Sequence, residues 1–285
     1  MKYKVGYLGP EATFTNIAVQ RFFPEEEGIP YTTIPDCIDA VAHGEIDFAV
    51  VPLENAIEGS VNITIDYLIH DQPLVIVGEI TVPIQQHFLV HPDYADSWQE
   101  TSKVYSHPHA IAQCHKFLSQ HLKGVPVEDV TSTSAAARYV TEHPTERAAA
   151  IANEAAAKKY GLTIVKHDIH THKNNHTRFL ILHKRSNVDF AKHGEFRGEK
   201  TTLMITLPSD YAGALYQVLA AFAWRKLNLS KIESRPMKTG LGNYFFLIDV
   251  ESAYDAVLLP GVKAELEALG CSVTLLGSYS SYLCK

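Results

Sequence analysis

Apolar and polar positions alternate in short blocks through the first 185 residues. Residues 2–9, KYKVGYLG, have the two-residue period of a strand. A turn at Gly9-Pro10 follows, and Phe14, Ile17, Ala18 and Phe22 then recur at helical spacing from about Thr13 to Phe23. Asp36 is placed to cap a helix carrying Ile38, Val41 and Ala42. Residues 47–53 are an apolar run of the kind found in buried strands. Val61, Ile65, Leu68 and Ile69 give another helical face, and residues 74–82 and 87–91 are strand-like. A strand at 103–106 leads into a helix over 108–118 with Pro108 in its first turn. Ser132, Thr133 or Ser134 caps the next helix. Residues 148–152 and 153–161 are one more strand and helix, stopped by Gly161, and 177–183 are a last strand. Repeated strand–helix units predict largely parallel sheets, with ligands at the carboxyl ends of the strands.

Residues 186–200 are polar and without period, which predicts a linker. Beyond it the pattern changes to strand (201–208), helix (213–227), strand (229–237), a turn at Gly240-Leu241-Gly242-Asn243, strand (244–250), helix (255–270) and strand (272–279). This βαββαβ order is ferredoxin-like. The expected organisation is a region over 1–185, a linker over 186–200 and a second region over 201–280.

A chain of 285 residues is long enough for more than one core. Its 46% hydrophobic and 20% charged residues fit a globular protein. A net charge of −7 argues against nucleic acid and anionic membranes as partners. No stretch approaches the roughly 18 apolar residues of a membrane span, and the N-terminus lacks a signal-peptide core. Cys37, Cys114, Cys271 and Cys284 are scattered, which fits the cytoplasm and excludes a C-x-x-C zinc or redox motif. His170 and His172 would share a strand face, but no companion ligand pattern accompanies them. No metal or cofactor is expected.

Several strand-to-turn junctions are rich in hydroxyls and amides: Thr13 and Thr15 after Gly9-Pro10, Glu54 to Ser60, Ser106-His107-Pro108, Thr131 to Ser134, and Asn175 to Phe179. Together they offer neutral donors and helix N-termini to one small anionic ligand. Each alone also reads as a helix cap.

Taken in order, these segments resemble the prephenate dehydratase family. The resemblance runs over essentially the whole chain and rests on Gly-Pro-Glu-Ala-Thr-Phe-Thr, Val-Pro-Leu-Glu-Asn-Ala-Ile-Glu-Gly-Ser-Val, Tyr-Ser-His-Pro, Ser-Thr-Ser-Ala-Ala, Asn-His-Thr-Arg-Phe, Gly-Ala-Leu and Glu-Ser-Arg-Pro. It implies a two-lobed α/β catalytic domain like periplasmic binding proteins, followed by an ACT regulatory domain. It implies loss of CO2 and water from prephenate to give phenylpyruvate, without a cofactor. Thr177 corresponds to the family's essential threonine, Asn55 and Gln113 to active-site amides, and Ser106 to an active-site serine. Thr13, Ser60, Ser134, Arg178 and Phe179 are the expected substrate-binding positions, with a salt bridge between lobes as the other reading of Arg178. Gly213, Ala214, Leu215, Glu233, Ser234, Arg235 and Pro236 are the expected contacts for phenylalanine as effector. Gly213 is expected to let the helix start approach a neighbouring backbone closely.

Two positions depart from the family pattern: His109, where glutamine often follows Ser-His-Pro, and Tyr216 after Gly-Ala-Leu. The resemblance also implies a homodimer or homotetramer and no fused chorismate mutase segment. A chain ending near Phe190 is expected, if it folds, to stay catalytic and ignore phenylalanine. Two other functions remain: an arogenate dehydratase, separable by comparing the two substrates, and a non-catalytic carboxylate or amino-acid sensor, which would not need Thr177, Asn55 and Gln113 together.

Overall fold

The computed structural model describes residues 2–209, 211–237 and 244–285. The turn expected at Gly240-Leu241-Gly242-Asn243 lies outside them. A first lobe contains β1 (Lys4–Leu8), α1 (Phe14–Phe22), β2 (Glu27–Tyr31), α2 (Ile34–His43), β3 (Phe48–Asn55), β4 (Gly59–Ser60), α3 (Asn62–His70) and β5 (Val75–Pro83). A second lobe contains β6 (His87–Val90), β7 (Lys103–Ser106), α4 (Pro108–Gln113), α5 (His115–His121), β8 (Val127–Asp129), α6 (Thr133–Glu142), β9 (Ala148–Ala152), α7 (Glu154–Tyr160) and β10 (Thr163–Lys166). The chain returns to the first lobe in β11 (His176–His183). A C-terminal block follows: β12 (Glu195–Thr206), α8 (Ala214–Ala223), β13 (Leu229–Pro236), β14 (Tyr244–Val250), α9 (Leu258–Ala268) and β15 (Ser272–Leu283).

The second lobe has its own sheet, in the order β10-β6-β9-β7-β8. The remaining strands form one sheet, β13-β14-β12-β15-β5-β11-β3-β1-β2, with β4 beside β3. The expectation of largely parallel sheets is corrected to mixed ones. β1 runs parallel to β2 and β3, but β11 is antiparallel to both β3 and β5. The reason is the crossover: the chain leaves the first lobe along β5 and re-enters along its neighbour β11, so the two must run in opposite directions.

The apolar run in β3 is explained by burial on both faces. Phe48 and Val50 point into the core beneath α1, whereas Ala49, Val51 and Leu53 point into the core beneath α2 and α3. In the C-terminal block, α8 and α9 cover one face of a four-stranded sheet around Ile205, Val218, Phe222, Ile248 and Val262. The other face faces the first lobe, and Phe245, Leu247 and Tyr279 join the core of α2 and α3. Tyr282 and Cys284 join the core of α1. Ser281–Leu283 of β15 pairs in parallel with Glu79–Thr81 of β5. A Cβ on Gly277 would stand 2.1 Å from the Ile76 carbonyl oxygen, so only glycine permits this approach.

Several local expectations change. Thr33, not Asp36, caps α2: its Oγ1 accepts the Asp36 N–H at 3.1 Å, and Asp36 sits in the first turn, where the helix dipole favours a carboxylate. Among the three candidate caps, Ser132 is used, accepting from Ala135 N–H at 3.0 Å. The helix expected over 108–118 breaks at Cys114, whose φ of −106° and ψ of 8° separate α4 from α5. Helix α8 ends at Ala223, and a turn with Lys226 at positive φ follows. The polar stretch 186–200 is only partly a connection, because its last six residues, from Glu195, already belong to β12. They pair through the backbone with Tyr279–Leu283, and that pairing does not require apolar side chains.

Candidate active site

A cleft of about 470 Å³ opens between the two lobes. From the first lobe it receives the ends of β1 and β3, the start of α1 and residues 58–61. The second lobe contributes the starts of α4 and α6. Thr177 is the second residue of β11 and is in register with Asn55 at the end of β3. The Asn55 side chain makes three hydrogen bonds. Its Oδ1 accepts from the backbone N–H of Ile57 (3.0 Å) and Glu58 (3.1 Å), turning the chain toward β4. That fixes the amide, so Nδ2 faces Thr177 and donates to its Oγ1 at 2.8 Å. Because this oxygen accepts from Asn55, its own proton is left to donate into the cleft.

Gln113 enters from the other lobe. Its Oε1 accepts from Asn175 Nδ2 at 3.2 Å, and its Nε2 donates to Glu58 Oε1 at 3.3 Å. Glu58 thus touches both lobes, with His109 Nε2 3.8 Å from its other oxygen. His107 caps α4, its Nδ1 accepting from the His109 N–H at 3.2 Å. Burial, and then the neighbouring His109, push the His107 imidazole below its usual 6.5. The neutral ring that makes this cap carries its proton on Nε2.

Thr13 caps α1 from the first lobe, and Ser132 caps α6 from the second. Both line the cleft. The first N–H groups of a helix have no partner within it, so two donor sets face one space from opposite lobes. That suits a ligand with two carboxylates. Thr177 and Phe179 lie two apart on β11 and both reach the cleft.

Not every expected residue reaches the cleft. Ser106 is fully buried and donates to the Ile151 carbonyl at 2.7 Å, tying β7 to β9 beneath the cleft. Ser134 is also fully buried and donates to the Glu11 carbonyl at 2.5 Å. Of its two readings, Arg178 takes the salt bridge. It points to the opposite face of β11 from Thr177 and binds Glu79, Glu54 (2.9 Å) and Asp249 (2.8 Å). Asp249 belongs to β14, so the bridge joins the first lobe to the C-terminal block, not one lobe to the other.

Ser60 lines the cleft, yet its Oγ donates to Glu233 Oε2 at 2.7 Å. The seven expected effector contacts lie in two segments, one opening α8 and one ending β13. On β13, Lys231, Glu233 and Arg235 face the first lobe, whereas Ser234 and Pro236 are exposed. Arg235 donates to Asn62 Oδ1 at 2.6 Å and pairs with Asp66. Gly213 has a φ of +91° at the start of α8, with nothing of this chain within 4 Å of a built Cβ. Glycine serves the left-handed backbone there.

Glu58, His107, Ser132 and Gln86 were not singled out as site residues. Gln86 lines the cleft with its Oε1 buried and unpartnered. Glu58 and His107 did stand within flagged motifs, and that was their only signal. Among the described residues, no three or more His, Cys, Asp or Glu side chains are grouped to hold a metal ion, and no helix is long and apolar enough to cross a membrane.

The molecule is a two-lobed α/β protein with a polar cleft between its lobes, joined to a ferredoxin-like block. Residues 5–187 match the prephenate dehydratase family. The chain is 60% identical over 282 residues to a prephenate dehydratase of Bacillus subtilis, covering 98% of this chain and 99% of that one. A crystal structure of prephenate dehydratase from Arthrobacter aurescens in complex with L-Phe superposes with a TM-score of 0.85 at 32% identity, covering 97% and 89% of the two chains. A structure of GqqA, described as a novel type of quorum quenching acylase, superposes with a TM-score of 0.84 at 26% identity, covering 98% of each chain. The fold thus serves more than one described activity, and sequence identity decides between them. The chain belongs to the prephenate dehydratase family. The activity of that family is a carbon–oxygen lyase reaction, the decarboxylating dehydration of prephenate to phenylpyruvate.

Proposed function

We propose that this elimination takes place in the cleft, with Thr177 at the departing oxygen and phenylalanine controlling the rate from the C-terminal block. The C1–carboxylate bond breaks, its electrons aromatise the ring, and the C4–oxygen bond breaks. Prephenate and one proton give phenylpyruvate, CO2 and water. Aromatisation drives the step, so the protein need only orient the two carboxylates and stabilise the leaving oxygen. The observation that carries this reading is the Asn55 to Thr177 hydrogen bond, which leaves the threonine proton free toward the cleft. A threonine hydroxyl is too weak an acid to supply the proton, so it relays or stabilises charge. The α1 and α6 N-termini receive the carboxylates. Gln113 is the amide that spans the lobes.

Control by phenylalanine is supported by the L-Phe complex of the Arthrobacter protein. The division into a catalytic region through residue 185 and a regulatory region over 201–280 belongs to the same proposal, with Gly213, Ala214, Leu215, Glu233, Ser234, Arg235 and Pro236 as the segments on which the effector acts. Pairing into a homodimer or homotetramer is supported by Tyr216, Trp224 and Val257, which are 74, 79 and 73% exposed. A cytoplasmic location is supported by four free thiols.

The test is phenylpyruvate formation, followed by ultraviolet absorbance with and without phenylalanine. Thr177→Ala should lower kcat about 10²-fold or more, the cost of one preorganised donor, and Thr177→Ser should keep much more activity. Equal, mild effects from both changes would refute the role of Thr177.

A further inference from the structure

The cleft wall over residues 55–60 is a weakly built element. β4 is two residues long, pairing Glu54 with Ser60 and Asn55 with Gly59, with one backbone bond beyond them from the Val61 N–H to the Leu53 carbonyl at 2.8 Å. A hairpin this short does not hold its shape in water unaided. What stands against its outer side is Lys231 of β13. The Lys231 ammonium lies 2.9 Å from Ser60 Oγ, 3.2 Å from Glu54 Oε2 and 3.0 Å from Glu233 Oε2. The Ser60 hydroxyl closes the cluster by donating to Glu233 at 2.7 Å. Glu54 and Ser60 are partners across the hairpin, so one cation ties its two sides together. The Lys231 side chain is only 9% exposed, and its ammonium donates to Ser60 and pairs with two carboxylates.

We infer that Lys231 is a positioning residue for the catalytic cleft, holding Ser60 and the Glu54–Ser60 hairpin in the wall that prephenate meets. The inference rests on the reading of the cleft given above. Asn55 is held separately, by its register with Thr177 on β11 and by their hydrogen bond. Loss of Lys231 therefore loosens the β4 side, with Glu58, Gly59 and Ser60, and leaves the Asn55–Thr177 pair in place. Binding suffers and the chemical step does not. Glu233 supports the same geometry. Burial pushes its carboxyl up, but hydrogen bonds from Ser60, Arg235 and Lys231 together hold it below the usual 4.5, so it is ionised opposite Lys231. The inference also gives the C-terminal sheet a part in the cleft that does not depend on an effector.

The test is steady-state kinetics on the full chain. Lys231→Met should raise KM for prephenate about tenfold with kcat within about twofold, the pattern of lost uniform binding. Lys231→Arg should recover most of the loss. In a Ser60→Ala background, Lys231→Met should add less than about twofold, because residues acting through one another are not additive. If Lys231→Met does not fold, Glu233→Gln should show the same pattern at about threefold in KM. An unchanged KM in whichever of these variants folds overturns the inference, as does full additivity with Ser60→Ala. Thr177→Ala is measured alongside. If it leaves turnover intact, the cleft reading itself fails and the inference falls with it. If it abolishes turnover while the Lys231 and Glu233 variants bind normally, only the inference fails.

Discussion

Thr177 and Arg178 are neighbours on β11, and they face two different kinds of polar site. Thr177 looks into the cleft, where the groups are mostly hydroxyls, amides and helix N-termini. Arg178 looks into the seam with the C-terminal block, where Glu54, Glu79, Lys200 and Asp249 surround it. In the seam every charge meets an opposite one: Lys200 Nζ stands 2.7 Å from Glu79 Oε1, and Ser281 donates to the same oxygen at 2.7 Å. In the cleft, Thr177 keeps a free proton and Gln86 an unpartnered oxygen. Neutral dipoles can stand in a cleft without a ligand at modest cost, whereas buried charges cannot stand unpaired. Buried polarity therefore marks a binding site only where hydrogen-bonding capacity remains open. Where it is saturated, it marks a joint.

The strongest way to break that contrast is to remove the C-terminal side of the joint. Activity in a chain ending near Phe190 is conditional on its folding. The structure argues that it does not fold, because it would lose the β15 partner of β5, the Tyr282 and Cys284 side chains from one core, and Phe245, Leu247 and Tyr279 from another. It would also leave Glu79, at 1% exposure, without Lys200 and Ser281. The truncated chain should show no cooperative unfolding transition and no turnover. A soluble, folded and active fragment would mean that the joint is dispensable.

Arg178→Met tests the same joint with one side chain. It leaves Glu79 and Asp249, both 1% exposed, short of their shared cation. Breaking a buried pair from one side costs about 3–5 kcal/mol. Urea denaturation should show a loss of that order, with kcat per folded molecule far less affected than in Thr177→Ala. Thr177→Ala should do the reverse: loss of the Asn55 hydrogen bond costs about 0.5–1.5 kcal/mol of stability while turnover falls steeply. If Arg178→Met were as stable as the parent and lost turnover instead, Arg178 would belong to the site and not to the joint.

The cleft was more legible in the sequence than the joint, for physical reasons. Hydroxyl and amide residues at the ends of apolar strands can be seen in one dimension, because the strand end and the helix cap are both local features. Asn55 and Thr177 carry this signal as well as the family resemblance, whereas Gln113, at the end of α4, is legible only through the resemblance. Ser106 and Ser134 carry the same signal and serve as buried ties, since a cap-like hydroxyl does not reveal whether a carbonyl lies behind it. The joint left no local mark. Arg178 looked like a carboxylate fork because its partners Glu79 and Asp249 are 99 and 71 residues away in sequence. Gly277 gave no turn signal, and its need appears only where Ile76 crosses it. The βαββαβ order was readable from periodicity, whereas its docking onto β5 was not, because pairing of polar strand segments is carried by the backbone.

Acid should separate the two regions by a smaller margin. His107 belongs to the cleft mouth, with His109, Glu58 and Asp129 as the titratable groups around it, and burial is the main cause of its lowered pKa. His87, in the second lobe, is also lowered, again chiefly by burial. A group depressed in the folded state contributes stability above its unfolded value that is lost as pH falls through the folded value. For these two histidines the loss sets in below 6.5, when the unfolded chain takes the proton more readily. Protonation of His107 also removes the Nδ1 acceptor that caps α4. In the joint, burial pushes Glu79 up, but Arg178 and Lys200 together outweigh it and hold it below 4.5. Its contribution is therefore complete above 4.5 and is lost only as pH falls through its lower folded value. As pH is lowered from 7, kcat/KM should begin to fall below 6.5 while the unfolding transition remains cooperative, and the joint should fail only below 4.5. His107→Gln should flatten the first phase and leave the second in place. Circular dichroism and initial rates on the same samples read both phases. Cooperative unfolding well above 4.5 with unaltered kcat/KM would reverse the order, and with it the view that the joint is the better protected of the two polar sites.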